Sequence, residues 1–228
     1  MPVTPLHHIQ SAIDAAARAR GHAPATLLAV SKTQSAAAVA ALASQGQHRF
    51  GENYVQEAAA KIAELRPLEL EWHLIGHLQS NKAEQAATLF DWVQTLDRPK
   101  LVCALARYRA AARAPLNVLI QVNIDDEASK HGCTPAQIST LAAQIATEPR
   151  LMLRGLMAIP APHPELARRR EAFRHMRVLF EALAVQHPQI DTLSMGMSGD
   201  FAEAIAEGAT MVRVGTALFG PRPQRDPG

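Results

Sequence analysis

The sequence predicts an α/β protein: a (β/α)8 TIM barrel with an extra N-terminal helix, filling residues 1–220 as a single domain. Three observations predict it. Short apolar runs of strand length alternate with helical patterns along almost the whole chain, which implies parallel strands joined by crossover helices. Eight such repeats fit into 228 residues, close to the ~250 typical of this barrel. The composition is 48% hydrophobic, with 43 alanines and 4% aromatic residues. It suits Ala-rich helices packed around a sheet and excludes disorder, collagen and a disulfide scaffold. The competing architecture is an open doubly wound sheet.

Residues 6–20 form the extra helix, with Leu6, Ile9 and Ile13 on one face. Residues 26–31 are a short buried strand, followed by an Ala-rich helix at 35–45. Residues 49–52 and 54–65 repeat that unit, as do 72–75 with 81–89. A short strand at 91–94 leads to a helix at 99–113, with Leu101, Leu105 and Tyr108 in phase. The clearest strand, 117–123, precedes a helix at 135–147, and 153–158 precedes the long helix 165–186. Residues 192–195, 201–207 and 211–214 complete the series. The tail 221–228 is rich in proline and is expected to fray.

Several function classes drop out. The net charge is +2 and no basic arm exists. The densest cluster, Arg168 to Arg170 with Arg174 and Arg177, lies opposite Phe173, Met176, Phe180 and Leu183 on one helical pattern, so it reads as a solvated face rather than a nucleic-acid patch. Cys103 and Cys133 are too few for a framework and suit a reducing compartment. There is no signal-like N-terminus and no run of 18 apolar residues. A cytoplasmic protein without a membrane partner is expected.

In such a barrel, function sits where strands end and βα loops begin. The chain has only five lysines (Lys32, Lys61, Lys82, Lys100, Lys130) against 18 arginines. Lys32 ends the first strand, and period-two alternation puts it on the inward face with Leu28 and Val30. An amine there is costly to bury unless it is paired, neutral or covalently modified. The other four fall in helical or loop contexts where solvation is easy. Lys32 is therefore the Schiff-base candidate; a rim lysine reaching water fits its position as well. After the seventh and eighth strands, Ser198-Gly199 and Gly215-Thr216 supply the small residues of a phosphate loop. Two ordinary glycine turns are the alternative.

A lysine imine together with a phosphate site points to pyridoxal 5′-phosphate. Arg213 shares its strand face with Gly215 and meets either the ring nitrogen or the phosphate. Asn53 is either a partner for the ring or the N-cap of helix 54–65. Asp200 is read as the cap of the helix after strand seven. His73 and His77 are four apart but flank a strand end, which favours a structural or cofactor-adjacent role over a metal. No metal is expected. Of the two tyrosines, Tyr108 reads as packing, and Tyr54 reads as a ring that caps or lines the pocket.

Five blocks carry a family resemblance: Leu28 to Thr33, Phe50 to Glu57, Trp72 to Gly76 with Leu78 to Lys82, Ser194 to Ser198, and Arg213 to Gly220. In order and spacing they resemble the pyridoxal phosphate homeostasis protein family from about residue 6 to 220. The Lys130-His131-Gly132 stretch keeps the family's Lys-x-Gly element. The resemblance implies a single barrel related to the cofactor domain of alanine racemase, with the cofactor on Lys32 and its phosphate near Ser198, Gly215 and Thr216. It further implies intracellular buffering or transfer of the cofactor, with apo-enzymes as recipients and no robust catalysis. The alternative is a weak pyridoxal-phosphate enzyme such as an amino-acid racemase. Racemases of this kind take a second acid/base tyrosine from an added β-domain, for which 228 residues leave no room. A cofactor-free lysine aldolase fits the full set of blocks less well. A monomer is expected.

Overall fold

The chain is seen in a computed structural model that describes residues 4–125, 127, 130–161 and 163–220. The tail expected to fray, 221–228, lies outside the described residues. Eight parallel strands close into a barrel in sequence order: β1 (Thr26–Val30), β2 (Arg49–Glu52), β3 (Glu71–Leu74), β4 (Trp92–Leu96), β5 (Leu116–Val122), β6 (Leu151–Ala158), β7 (Thr192–Met197) and β8 (Met211–Val214). The expected barrel is thus the observed one, and β8 pairing with β1 rules out the open sheet.

The extra helix α1 (Pro5–Arg18) starts where Thr4 accepts a hydrogen bond from the His7 amide and Pro5 occupies the first turn. It buries Leu6, Ile9 and Ile13. The crossovers are α2 (Ala36–Ala43), α3 (Val55–Glu64), α4 (Ala83–Leu89), α5 (Pro99–Tyr108), α6 (Ile138–Ala146), α7 (Leu166–Gln186) and α8 (Phe201–Ala206), with a final turn α9 (Thr216–Phe219). Helix α5 stops at Tyr108 instead of 113, for a physical reason. Arg109 leaves the helix, and its buried guanidinium donates to the carbonyls of Ala87, Phe90 and Ala114. That satisfies carbonyls left over at the end of α4.

The main apolar core lies between sheet and helices and includes Phe50, Phe90, Leu105 and Phe173. Inside the barrel there are two small apolar groups, Leu28 with Ile75 and Met211, and Trp92 with Leu119 and Met157. Polar side chains lie between these groups, among them His73, Gln94, Ser194 and Arg213. His73 stacks on Trp92 with ring centroids 5.0 Å apart, and Gln94 Nε2 touches the Met211 sulfur at 3.2 Å. The N-terminal end of the barrel is floored by ion pairs, Arg49 with Glu71 and Arg154 with Asp191. Arg154 also lies 4.9 Å over the Trp92 ring.

Candidate functional site

The C-terminal ends of the strands surround a cavity of ≈ 290 Å³. Lys32, two residues beyond β1, opens onto it. So do Asn53 after β2, Ser198 and Gly199 after β7, Arg213 on β8, and Gly215 and Thr216 after it. Seven of the eight expected site residues therefore meet in one place. His73 does not line this cavity. It is fully buried one layer below, inside the barrel. The reason is register: His73 is the third residue of the four-residue β3, and its ring is buried between Gln94 and Trp92 of the next strand instead of at the strand end.

Two glycines set the geometry. A Cβ on Gly76 would lie 2.1 Å from the Asn53 carbonyl oxygen, so only glycine lets the β3 loop press on the backbone that carries Asn53. Gly196, at φ +90°, leaves room for α8 to pack on β7, since a Cβ there would lie 2.5 Å from that of Ala204. Asp200 occupies the N-cap of α8 as expected, but its carboxylate makes no cap bond to the helix; it accepts the Met197 amide at 2.7 Å and closes the β7 turn backwards. The N-cap of α3 is Tyr54, with no side-chain cap, so Asn53 is not the cap. Tyr54 is 60% exposed and does not line the cavity.

The stretch around Lys32 is held from behind. Lys61, expected to be solvated, is instead buried at 7% exposure. Its ammonium donates to the Ser31 carbonyl at 2.7 Å, Glu52 Oε1 at 2.7 Å and Glu57 Oε1 at 2.8 Å. Ser31 Oγ donates to Glu52 Oε1 at 2.6 Å, and the Thr33 amide donates to Glu57 Oε1 at 2.5 Å. Burial pushes the Glu52 carboxyl up, against the pull of Lys61 and Ser31. Thr33 sits at φ +64°, a strained conformation for a β-branched residue that this clamp imposes.

Arg213 is 3% exposed. Its Nη1 donates to Ser194 Oγ at 2.7 Å and its Nη2 to the Ala158 carbonyl at 2.8 Å. Burial lowers its pKa to about 10, so it remains a cation at neutral pH. Two of its five N–H groups are used in these bonds. From Ser194 the contacts continue through Gln94 and His73 to Glu71. Sequence reasoning singled out neither Gln94, Ser194 nor Glu71. The available signal was the polar residue type at inward positions of otherwise apolar strands.

Elsewhere at this end, Lys130 pairs with Asp125 at 3.0 Å, and Asp125 also accepts the Ala161 amide at 2.6 Å. This ties the loop after β5 to the end of β6. Among the described residues, His77, Asp97 and His131 bring one donor atom each within 4.8 Å of one another. The two imidazoles stack face to face, centroids 3.7 Å apart and 15° from parallel, so no ion lies in the plane of both. Asp97 Oδ1 is already taken by Arg98 at 2.5 Å.

Fold and cavity together define a (β/α)8 barrel with a lysine after its first strand and small-residue loops after its last two. That is the class of the alanine racemase N-terminal domain, whose family profile matches residues 6–223. The chain is 52% identical over 222 residues to the pyridoxal phosphate homeostasis protein of Escherichia coli strain K12, covering 95% of each. PipY of Synechococcus elongatus PCC7942, solved with PLP bound, is 38% identical with a TM-score of 0.79, covering 92% of this chain and 100% of that one. An alanine racemase from Corynebacterium glutamicum shares the fold at 20% identity and a TM-score of 0.64, over 96% of this chain and 62% of that one. The chain belongs to the alanine racemase N-terminal domain family and, within it, to the pyridoxal phosphate homeostasis proteins. Among the described residues, no helix is long and apolar enough to cross a membrane.

Proposed function

We propose that this chain binds pyridoxal 5′-phosphate in the mouth cavity as a Schiff base with Lys32, and that it buffers or hands on the cofactor inside the cell. One observation carries the reading: a single cavity brings Lys32, a buried guanidinium and two small-residue loops together. The residues fit the group. At ≈ 290 Å³ the space is at the small end of ligand pockets, about 300–1,000 Å³, which suits one substituted ring and excludes a dinucleotide. The bound cofactor supplies an aldehyde that condenses reversibly with amines.

Each residue then has a defined task. Lys32 offers the amine. Ser198, Gly199, Gly215 and Thr216 offer hydroxyls and bare backbone to the phosphate. Asn53 approaches the ring from the β2 side. Arg213 donates from below and, having no proton to release at neutral pH, cannot protonate whatever atom it meets.

Capture and release is favoured over catalysis by the same lining. Among the described residues facing the cavity there is no His, Tyr, Cys, Asp or Glu to serve as a second acid/base beside the Lys32 amine. Racemisation needs an acid/base on each face of the substrate carbon. Named relatives are homeostasis proteins, which supports a carrier role; we read the carrier as a cytoplasmic monomer whose recipients are apo-enzymes that use this cofactor. The test is borohydride reduction of the cofactor-loaded protein, followed by peptide mass mapping. The label is expected on Lys32 and absent from Lys32→Ala. A label spread over other lysines, or none, would sink the proposal. Inversion of a single amino-acid enantiomer above the blank would instead make the chain an enzyme.

A further inference from the structure

The polar groups inside the barrel have donor and acceptor directions that can be read from one end. Arg213 only donates, so Ser194 Oγ accepts at 2.7 Å. The Ser194 hydroxyl proton then goes to its other partner, Gln94 Oε1, at 2.7 Å. That bond settles which way the Gln94 amide faces, so its Nε2 donates to His73 Nδ1 at 2.9 Å. An accepting Nδ1 places the ring proton on Nε2, which donates to Glu71 Oε1 at 2.8 Å. Every link is consistent with the next; a flipped Gln94 amide would lose the Gln94 Nε2 contact to the Met211 sulfur and would need a doubly protonated His73 in a fully buried site. The chain joins β8, β7, β4 and β3, and the Gln94–Ser194 link crosses the barrel interior.

We propose that Glu71, His73, Gln94 and Ser194 form a one-way hydrogen-bond chain that positions the Arg213 guanidinium under the mouth cavity, with His73 held as the neutral Nε2–H tautomer. The chain begins at a carboxylate at the opposite end of the barrel, where Glu71 also pairs with Arg49 at 3.1 Å. Residues that never touch a ligand therefore govern how Arg213 meets one. Burial of the imidazole disfavours its charged form and outweighs the pull of Glu71, in keeping with an accepting Nδ1. The effect on cofactor rests on the reading of the cavity above; the tautomer does not.

Two measurements test this. In cofactor-free protein at neutral pH, long-range proton–nitrogen NMR of His73 is expected to show a protonated Nε2 and a bare, hydrogen-bonded Nδ1. A charged ring or an Nδ1–H tautomer overturns the chain. In cofactor-loaded protein, Gln94→Met keeps the volume and breaks the middle link. It is expected to weaken pyridoxal 5′-phosphate binding about tenfold, the size of one hydrogen bond to a charged group, and to displace the visible absorption band. Glu71→Gln, at a half-buried position, keeps an acceptor but removes the charge. A weakening of about threefold with a band shift in the same direction is expected. Unchanged affinity and spectrum in both variants overturn the positioning role. A wild-type protein that takes up no cofactor overturns the cavity reading and the positioning role with it, while the NMR result still decides the chain.

Discussion

At the C-terminal mouth of the barrel the chain places glycine, serine and threonine around one amine and one guanidinium; at the N-terminal mouth it places Arg49, Glu71, Arg154 and Asp191 in pairs. Side chains are small at the first end, leaving a cavity. At the second end long side chains neutralise one another across the strand starts, and Arg154 covers Trp92. The difference separates two jobs in one sheet. The mouth is shaped for a ligand by backbone and small residues, whereas the opposite end is a cleft of ≈ 450 Å³ lined by paired charges.

Breaking the mouth is expected to cost most. Gly76→Ala forces a Cβ to within 2.1 Å of the Asn53 carbonyl oxygen. We expect about 3 kcal/mol less stability, the upper range for overpacking, together with weaker cofactor binding because Asn53 moves. Urea unfolding and a cofactor titration check the two halves; stability lost without affinity would detach Asn53 from the site. Breaking the floor costs less. Arg154→Ala removes a two-point contact to Asp191 and a cation over Trp92, both partly exposed. About 1 kcal/mol is expected, read by the same unfolding experiment with cofactor affinity unchanged. A large affinity loss would show that the two ends are not separate.

The smallest effect lies on the line joining the ends. Burial holds the His73 imidazole below its ordinary value of 6.5 despite the neighbouring Glu71. The unfolded chain takes up a proton as pH falls through that value, and the folded chain resists it. Stability is therefore full above 6.5 and declines as pH falls below it. Unfolding midpoints measured between about pH 7 and about pH 5 are expected to fall more steeply in the wild type than in His73→Gln. Equal slopes would mean that the ring takes up its proton in the folded state.

Much of this was legible in the sequence, for a specific reason. A barrel makes strand ends the functional positions, and Lys32, Ser198, Arg213 and Gly215 are unusual residues at strand ends. Position and residue type agreed, so each could be placed from local pattern. His73 misled because its position groups it with the residues around the strand end, whereas its side chain is fully buried inside the barrel below the mouth. Its partners are Gln94 and Trp92 of β4 and Glu71 of its own strand, and the Ser194–Gln94 link that extends the chain spans 100 positions of sequence, which no local period reports. Lys61 was hidden differently. Its helix reads as amphipathic, and only the fold brings Glu52 and the Ser31 carbonyl within reach of the ammonium.

The clamp around Lys61 has a kinetic consequence. Lys32 stands between Ser31, whose amide bonds to the Gly51 carbonyl, and Thr33, whose amide bonds to Glu57. The backbone on both sides of the amine is thus tethered by the fold itself. On the proposed function, a ligand reaching Lys32 meets backbone that is already tethered on both sides, so little chain entropy is lost at that position on capture. On the same reading, release is limited by bond chemistry and solvent access at Lys32 and not by movement of the stretch from Ser31 to Thr33 that carries it.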